Sequence, residues 1–332
     1  MKENDYSVLT DPDAVSINDW LAYLEKSSVA CYFHTPFYCK ALLQTSGLEP
    51  VFCCVLYHNE ITALAIGECG SEIKLLPGIT KRTIFYAEPL FEDDGALEIL
   101  LIYLSSYRSG LFVQFRPFFP LTDNIILVFK SHGYQFSNHL NAYIPVTNGS
   151  KIFNNFEKDK KRGIKSASEK FGITIREFDD FEESVDRFYN IQGILYKKKR
   201  HAIKTKDYFY NILKTSKGHV KIIFAIYNNK PIASQLYTIF GNRLTAMYTG
   251  TLEEHRNKKA GDLLVWQMID TALKNNIKYF DFGGGGDPDK PYAPRDYKRR
   301  FGTIFENSGR LTLPRSPFYI FAMSLYRFFL KH

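Results

Sequence analysis

HVKIIFAIY (residues 219–227), Asn228-Asn229 and KPIASQLYTIF (residues 230–240) read as two strands joined by a tight turn, because apolar runs rich in β-branched and aromatic residues flank a pair of turn formers. Gly241-Asn242 then turns the chain into RLTAMYT (residues 243–249), a third antiparallel strand. From residue 260 to 275, Leu264, Val265, Met268, Ile269, Ala272 and Leu273 recur at helical spacing, and Lys274 with Asn275-Asn276 suits a helix C-terminus. That helix feeds KYFDF (residues 278–282), a strand expected to stop at the four glycines 283–286. The segment is therefore an α/β unit of three antiparallel strands, a helix and a further strand.

The same hairpin stands earlier in the chain. VFCCVLY (residues 51–57), His58-Asn59 and EITALAI (residues 60–66) repeat it, with Tyr57-His58-Asn59 matching Tyr227-Asn228-Asn229 and Ala63 matching Ala233 at an offset of 170. Residues 95–106 and 110–115 supply a matching helix and strand, and residues 121–132 a further helix. A length of 332 residues also favours two domains over one. PVTNGS (residues 145–150) clusters turn formers before a charged helix, so the domains are expected at 1–147 and 148–332.

Composition excludes several classes. With 45% hydrophobic and 23% charged residues the chain is neither disordered, collagen-like nor polytopic. The balance of 43 Lys plus Arg against 35 Asp plus Glu gives +8 and favours anionic partners. Five cysteines (Cys31, Cys39, Cys53, Cys54 and Cys69) form no metal-site spacing, so neither structural zinc nor a disulfide framework is indicated. MKENDYSVLTDPDAVS at the start has no apolar core of the signal-peptide kind, so a cytoplasmic location is expected. PFYIFAMSLYRFFLKH (residues 317–332) is too short to span a bilayer; it reads as an interfacial helix or as one docked on the protein's own sheet.

The strand–helix order resembles the core of the GNAT acyltransferase fold, so the expected architecture is two tandem GNAT-like domains with mixed, mostly antiparallel sheets flanked by helices. Three strings together resemble the FemAB family, the peptidoglycan-bridge aminoacyltransferases. Arg162-Gly163-Ile164-Lys165-Ser166-Ala167 looks like the family's Arg-Asn-Ile-basic-x-Ala segment, with Gly where Asn is usual. AGDLLVWQMIDTALKNNIKYFDFGG (residues 260–284) looks like its helix and Tyr/Phe-Asp-Phe-Gly-Gly strand end, and Tyr297-Lys298-Arg299-Arg300-Phe301-Gly302 like its aromatic-Lys-x-x-Phe-Gly element. The likeness covers residues 152–310 well and the first half loosely; the coiled-coil arm of some members is absent.

The resemblance implies an amide-forming acyl transfer. Lys298 would stabilise the tetrahedral intermediate or bind the acyl-donor end, and Tyr297 would position the donor's terminal adenosine. Asp281 would receive the incoming amine, Tyr248 would contact the acceptor, and Lys40 would grip its diphosphate. Lys197 and Arg200 are placed at the same anion site or at the RNA. Gly283 and Gly284 would allow close backbone approach of substrate. Bland alternatives stand beside each: a solvated basic turn for Lys298, a turn cap for Asp281, a buried aromatic for Tyr248. Likewise KDKKRGIKSASEK (residues 158–170) reads as a solvated basic face.

Such a transfer needs proximity, a neutral amine and oxyanion donors, and no Ser/His/Asp constellation. Consistently, the chain has no GxSxG, CxxC or HExxH signature, and Pro288 breaks GxGxxG. The expected donor is aminoacyl-tRNA as co-substrate, without metal or other cofactor, and the acceptor a UDP- or lipid-linked cell-envelope precursor. One rival is an acyl-CoA or acyl-carrier N-acyltransferase. EHRNKKAG (residues 254–261) would cradle the coenzyme A pyrophosphate through Arg256 and the helix N-terminus, but Lys259 stands where that pattern has its first glycine. The other rival is a non-catalytic RNA- or glycan-binding protein. Oligomeric state is not legible.

Overall fold

A computed structural model describes residues 5–71, 80–107, 110–315 and 319. Two compact units emerge, Met1–His139 with Asn307–His332 and Leu140–Glu306. The first half supplies β1 (Tyr6–Leu9), α1 (Ile17–Lys26), α2 (Pro36–Leu43), β2 (Leu48–Tyr57), β3 (Glu60–Ser71), β4 (Lys81–Phe85) and β5 (Leu90–Phe91). It continues with α3 (Asp94–Ser106), β6 (Phe112–Phe115), α4 (Asp123–Ser131) and β7 (Gln135–Ser137). The second unit runs through β8 (Leu140–Pro145), α5 (Gly149–Asn155), α6 (Lys158–Lys165), β9 (Thr174–Arg176), α7 (Phe181–Lys198) and α8 (Lys206–Thr215). Its remaining elements are β10 (Val220–Tyr227), β11 (Lys230–Phe240), β12 (Arg243–Thr251), α9 (Ala260–Lys274), β13 (Tyr279–Gly286), α10 (Ala293–Arg299) and β14 (Ile304–Asn307); β15 (Arg310–Pro314) follows.

One strand order is used twice. The first unit's sheet runs β1-β2-β3-β4-β6-β15-β7, with β5 added to β3, and the second unit's runs β9-β10-β11-β12-β13-β8-β14 when read from the matching edge. Each contains a parallel pair, β4 with β6 and β12 with β13, and each of these crossovers passes through a helix, α3 or α9. The hairpins share their register residue for residue. Val55 faces Ala63, Leu56 faces Ile61 and a bulge lies between them; Ala225 faces Ala233, Ile226 faces Pro231, with the same bulge. Both turns place two consecutive residues at positive φ, His58 (49°) and Asn59 (68°), then Asn228 (48°) and Asn229 (62°), the geometry whose twist suits a two-residue hairpin.

The boundary expected at 147/148 is corrected at both ends of the second unit. Strand β8 precedes it, yet pairs antiparallel with β13. Strand β15 follows the second unit but lies between β6 and β7 of the first sheet, so residues 307–332 do not belong with the second unit. The glycine run also departs from expectation: β13 continues through it to Gly286, with register shifts at Asp281/Gly283 and Gly284/Gly286. Gly283 (φ +73°) and Gly286 (φ +80°) adopt conformations that side chains rarely take.

Each sheet is covered by its crossover helix. In the second unit Leu264, Val265, Met268, Ile269 and Ala272 of α9 pack on Ala233, Leu244 and Phe280. In the first, Leu97, Leu100, Leu101 and Leu104 of α3 pack on Val51, Cys53, Val55 and Ala65. Helix α9 stops where the Asn pair predicted: Asn276 (φ 54°) donates to the Leu273 carbonyl and Ile277 to that of Ala272, a Schellman closure. Among the described residues no helix is long and apolar enough to cross a membrane. The apolar stretch 317–332 lies outside the described residues except for Tyr319, whose ring meets Phe112 at 5.2 Å.

Leu311 on β15 is fully buried in the first core. Leu311→Ala should cost about 2–5 kcal/mol. Hydrogen exchange should show protection falling in β2 and β3 while β10 and β11 keep theirs; loss in β10 and β11 instead would return β15 to the second unit.

Candidate active site

The parallel ladder of β12 and β13 lasts three residues, Arg243 to Thr245 against Tyr279 to Asp281, after which the strands are no longer bonded to each other. On its other side β12 carries a bulge: Leu236 faces Tyr248 and Tyr237 faces Ala246, leaving Met247 without a ladder partner. Asp281 stands where the ladder ends. It is wholly buried and accepts from Arg243 Nη1 (2.5 Å), Asn141 Nδ2 (2.8 Å) and the Gly283 N–H (2.5 Å). Arg243 is itself only 3% exposed. This corrects the expected role of Asp281: both oxygens are committed and its charge is compensated by Arg243, so it shapes the strand and does not meet an incoming amine.

Lys298, on α10, reaches back to the strand beyond that bend. Its Nζ donates to the carbonyls of Phe282 (2.8 Å), Gly283 (3.2 Å) and Gly284 (2.7 Å). Three acceptors match the three protons of an ammonium. Burial pulls its pKa down to about 8, against the opposing pull of the Asp281 carboxylate. Arg295, one turn earlier on α10, donates to the carbonyls of Asp287 (2.8 Å) and Lys290 (2.6 Å). Helix α10 is thus tied on both turns to the glycine strand and the loop after it. Gly283 and Gly284 lie at the site, presenting backbone.

Tyr297 sits beside Lys298 with a different connection. Its hydroxyl donates to Asp262 Oδ1 (3.0 Å), which also accepts from Lys160 Nζ (2.9 Å). Lys160 is 4% exposed, and its ammonium lies 4.0 Å from the centre of the Tyr297 ring and 4.9 Å from that of Phe301. Burial, then the Asp262 charge, pushes the Tyr297 phenol well above its usual range. Taken as a whole residue Tyr297 is 37% exposed, while its hydroxyl end is the part turned inward to Asp262. Gly163 explains its own presence here: a Cβ would come within 2.7 Å of Asp262 Oδ2.

The Lys160–Asp262 pair escaped the sequence reading, though a signal existed. The buried stripe of α6 and the turn after it is Lys160, Gly163, Ile164 and Ala167, a helical spacing that places a lysine on the apolar face, where only a buried partner makes it tolerable. The face read as solvated is therefore so only in part.

The other expected residues make contacts of their own. Tyr248 is half-buried, its ring edge-on to Phe209 at 4.9 Å. Lys197, Arg200 and Arg256 are exposed. Arg256 pairs with Glu253 at 3.6 Å, and Glu253 also meets Lys198, which ties the two basic segments together. Lys40 is exposed on the last turn of α2 in the first unit.

The class follows from this frame: two tandem units of GNAT topology, the second carrying an ammonium at the end of its parallel strand pair. Residues 154–299 match the family model described as acetyltransferase (GNAT) domain. No curated protein matches the chain. Among solved structures the chain is similar to FemX, with a TM-score of 0.73 at 12% identity over 95% of this chain and 99% of that one. The L-PGS from Bacillus licheniformis follows at 0.58 and 12% over 94% and 96%. A tandem GNAT protein from the clavulanic acid biosynthesis pathway gives 0.55 and 10% over 94% and 98%. The tandem GNAT-like architecture expected from the sequence is thus matched by the fold along nearly the whole chain.

Because Asp281 compensates Arg243 inside the protein, Asp281→Ala should destabilise the second unit by about 3–5 kcal/mol. Urea unfolding would read the loss; a variant of unchanged stability would return the carboxylate to a chemical role.

Proposed function

We propose that the chain is a FemAB-like transferase that moves an aminoacyl group from aminoacyl-tRNA to an amine of a UDP- or lipid-linked cell-envelope precursor. The observation that carries this reading is the Lys298 ammonium, anchored on the carbonyls of Phe282, Gly283 and Gly284 just beyond the point where β12 and β13 cease to pair. In the proposed reaction the amine nitrogen bonds to the ester carbonyl, the carbonyl oxygen takes up negative charge, and Lys298, whose protons are held by backbone carbonyls, stabilises it through its positive charge. The C–O bond to the ribose then breaks, and the proton lost by the amine ends on the leaving oxygen. With Asp281 committed to Arg243, the acceptor amine enters already neutral.

Two observations favour the ester of an RNA over coenzyme A. The first turn of α9 holds the Asp262 carboxylate, paired with Lys160, at the helix end where a pyrophosphate would be expected to dock. Lys259, in the left-handed conformation (φ 61°), takes the place of the first glycine of that loop. The formal charge of +8 suits an RNA partner, and exposed Lys197, Arg200, Arg256 and Lys40 are available to phosphates of donor or acceptor. A neighbour described as the C-terminal domain of a putative lysylphosphatidylglycerol synthetase shares the fold with a TM-score of 0.58 at 11% identity, in keeping with an aminoacyl group as the cargo.

Incubation with a panel of charged tRNAs and acyl-CoAs against UDP-muramyl pentapeptide and lipid-linked precursors, scored by mass gain, tests the reading. Product from thioesters alone would replace it by the acyl-CoA alternative. Lys298→Ala should lower kcat by on the order of 10²–10³; full activity would favour a binding protein. Since Lys298 acts as a cation with a pKa of about 8, the rate should fall as pH rises through that value. In Lys298→Arg this alkaline limb should move upward, because guanidinium stays charged.

A further inference from the structure

The repeat of topology locates a second site. In the first unit β4 and β6 form the corresponding three-residue parallel ladder, Thr83 to Phe85 against Val113 to Phe115. Counting from its end, the place of the four glycines is taken by Pro117-Phe118-Phe119-Pro120. Here the bridging charge is reversed: Glu88, following β4, accepts the Phe118 N–H at Oε2 (3.0 Å), the carboxylate spanning the parted strand ends. Glu88 is 5% exposed. Its carbonyl accepts from His34 Nε2 (2.7 Å), while His34 Nδ1 accepts the Cys31 N–H (3.1 Å). That pair of bonds requires the neutral imidazole with its proton on Nε2, which fixes the Glu88 backbone.

Beside this bridge lies a cavity of about 420 Å³, within the size range of small-molecule sites. Its ionisable lining is Glu88, Glu92 and the exposed Lys26, a net negative charge, and its aromatic lining is Tyr23, Phe91 and Phe119. Carboxylates together with ring faces are the chemistry that recognises an ammonium group. An anion would meet both acids. Tyr23 is held away from this task by its own bond to the Thr62 carbonyl (3.2 Å), so the direct charged contact falls to the exposed Glu92, with the bonded Glu88 adding its negative charge from behind.

We propose that this cavity of the first unit binds a small molecule through a primary ammonium group, as a recognition site separate from the transfer chemistry assigned to the second unit. It uses only first-unit residues and stands whether or not the transferase reading holds. Calorimetric titration of the intact protein with D-glucosamine and n-butylamine should show saturable binding. N-acetyl-D-glucosamine and n-butanol, their uncharged counterparts, should bind about tenfold more weakly or worse. Glu88→Gln keeps an acceptor for the Phe118 N–H and should lose a similar factor. Ser28→Trp, at an exposed residue of the lining, should abolish binding by filling the space, and carries the test if the glutamine variant misfolds. Glu254→Gln, exposed on the second unit, should change nothing. Equal affinity for the uncharged counterparts, binding that survives Ser28→Trp, or no saturable binding by either amine would overturn the proposal.

Discussion

A single buried carboxylate organises the second unit. Asp281 takes bonds from β8 through Asn141, from β12 through Arg243 and from its own strand through the Gly283 N–H. A charge removed from water is tolerable only when partners replace the lost hydration, and here three do. The consequence is mechanical. The carboxylate fixes where the parallel ladder ends and bends β13 into its glycine stretch, whose carbonyls then turn toward Lys298. Without that bend the ammonium would have no anchorage.

The two units show how one frame takes opposite charges. Both part their fourth strand from its parallel neighbour after three residues. In the second unit the strand end is glycine and the group across it is an ammonium; in the first it is proline and phenylalanine and the group is a carboxylate. Glycine lets side chains from elsewhere approach the backbone, whereas the bulky run of the first unit takes up space and, at its two prolines, removes donors. Fold and frame are shared; chemistry is set by a handful of side chains at the strand ends.

What was legible in the sequence follows the range of the forces involved. Turn pairs such as Asn228-Asn229, the apolar spacing of α9 and its Asn276 closure act within a few residues, and each element appears where expected. The destinations of β8 and β15 depend on partners far along the chain and leave no local mark. Continuation of β13 through four glycines runs against their weak strand preference, and rests on Lys298 and Arg295 from a later helix. Asp281 looked available because Arg243 lies 38 residues away and its placement opposite follows from strand packing. Lys160 was legible in principle, as the one charge in an apolar stripe.

The position of β15 bears on how the molecule is made. Polypeptide leaves the ribosome from its N-terminus, at about 5–20 residues per second, so the first sheet, made as far as β7, cannot close until the whole second unit has been made and β15 follows it. During roughly ten seconds or more, β6 and β7 have a gap where a neighbour should be, open to any extended chain nearby. Nascent copies on one message would be each other's nearest source of a fitting strand. Biogenesis, more than the finished structure, is where this arrangement leaves the protein exposed to mispairing.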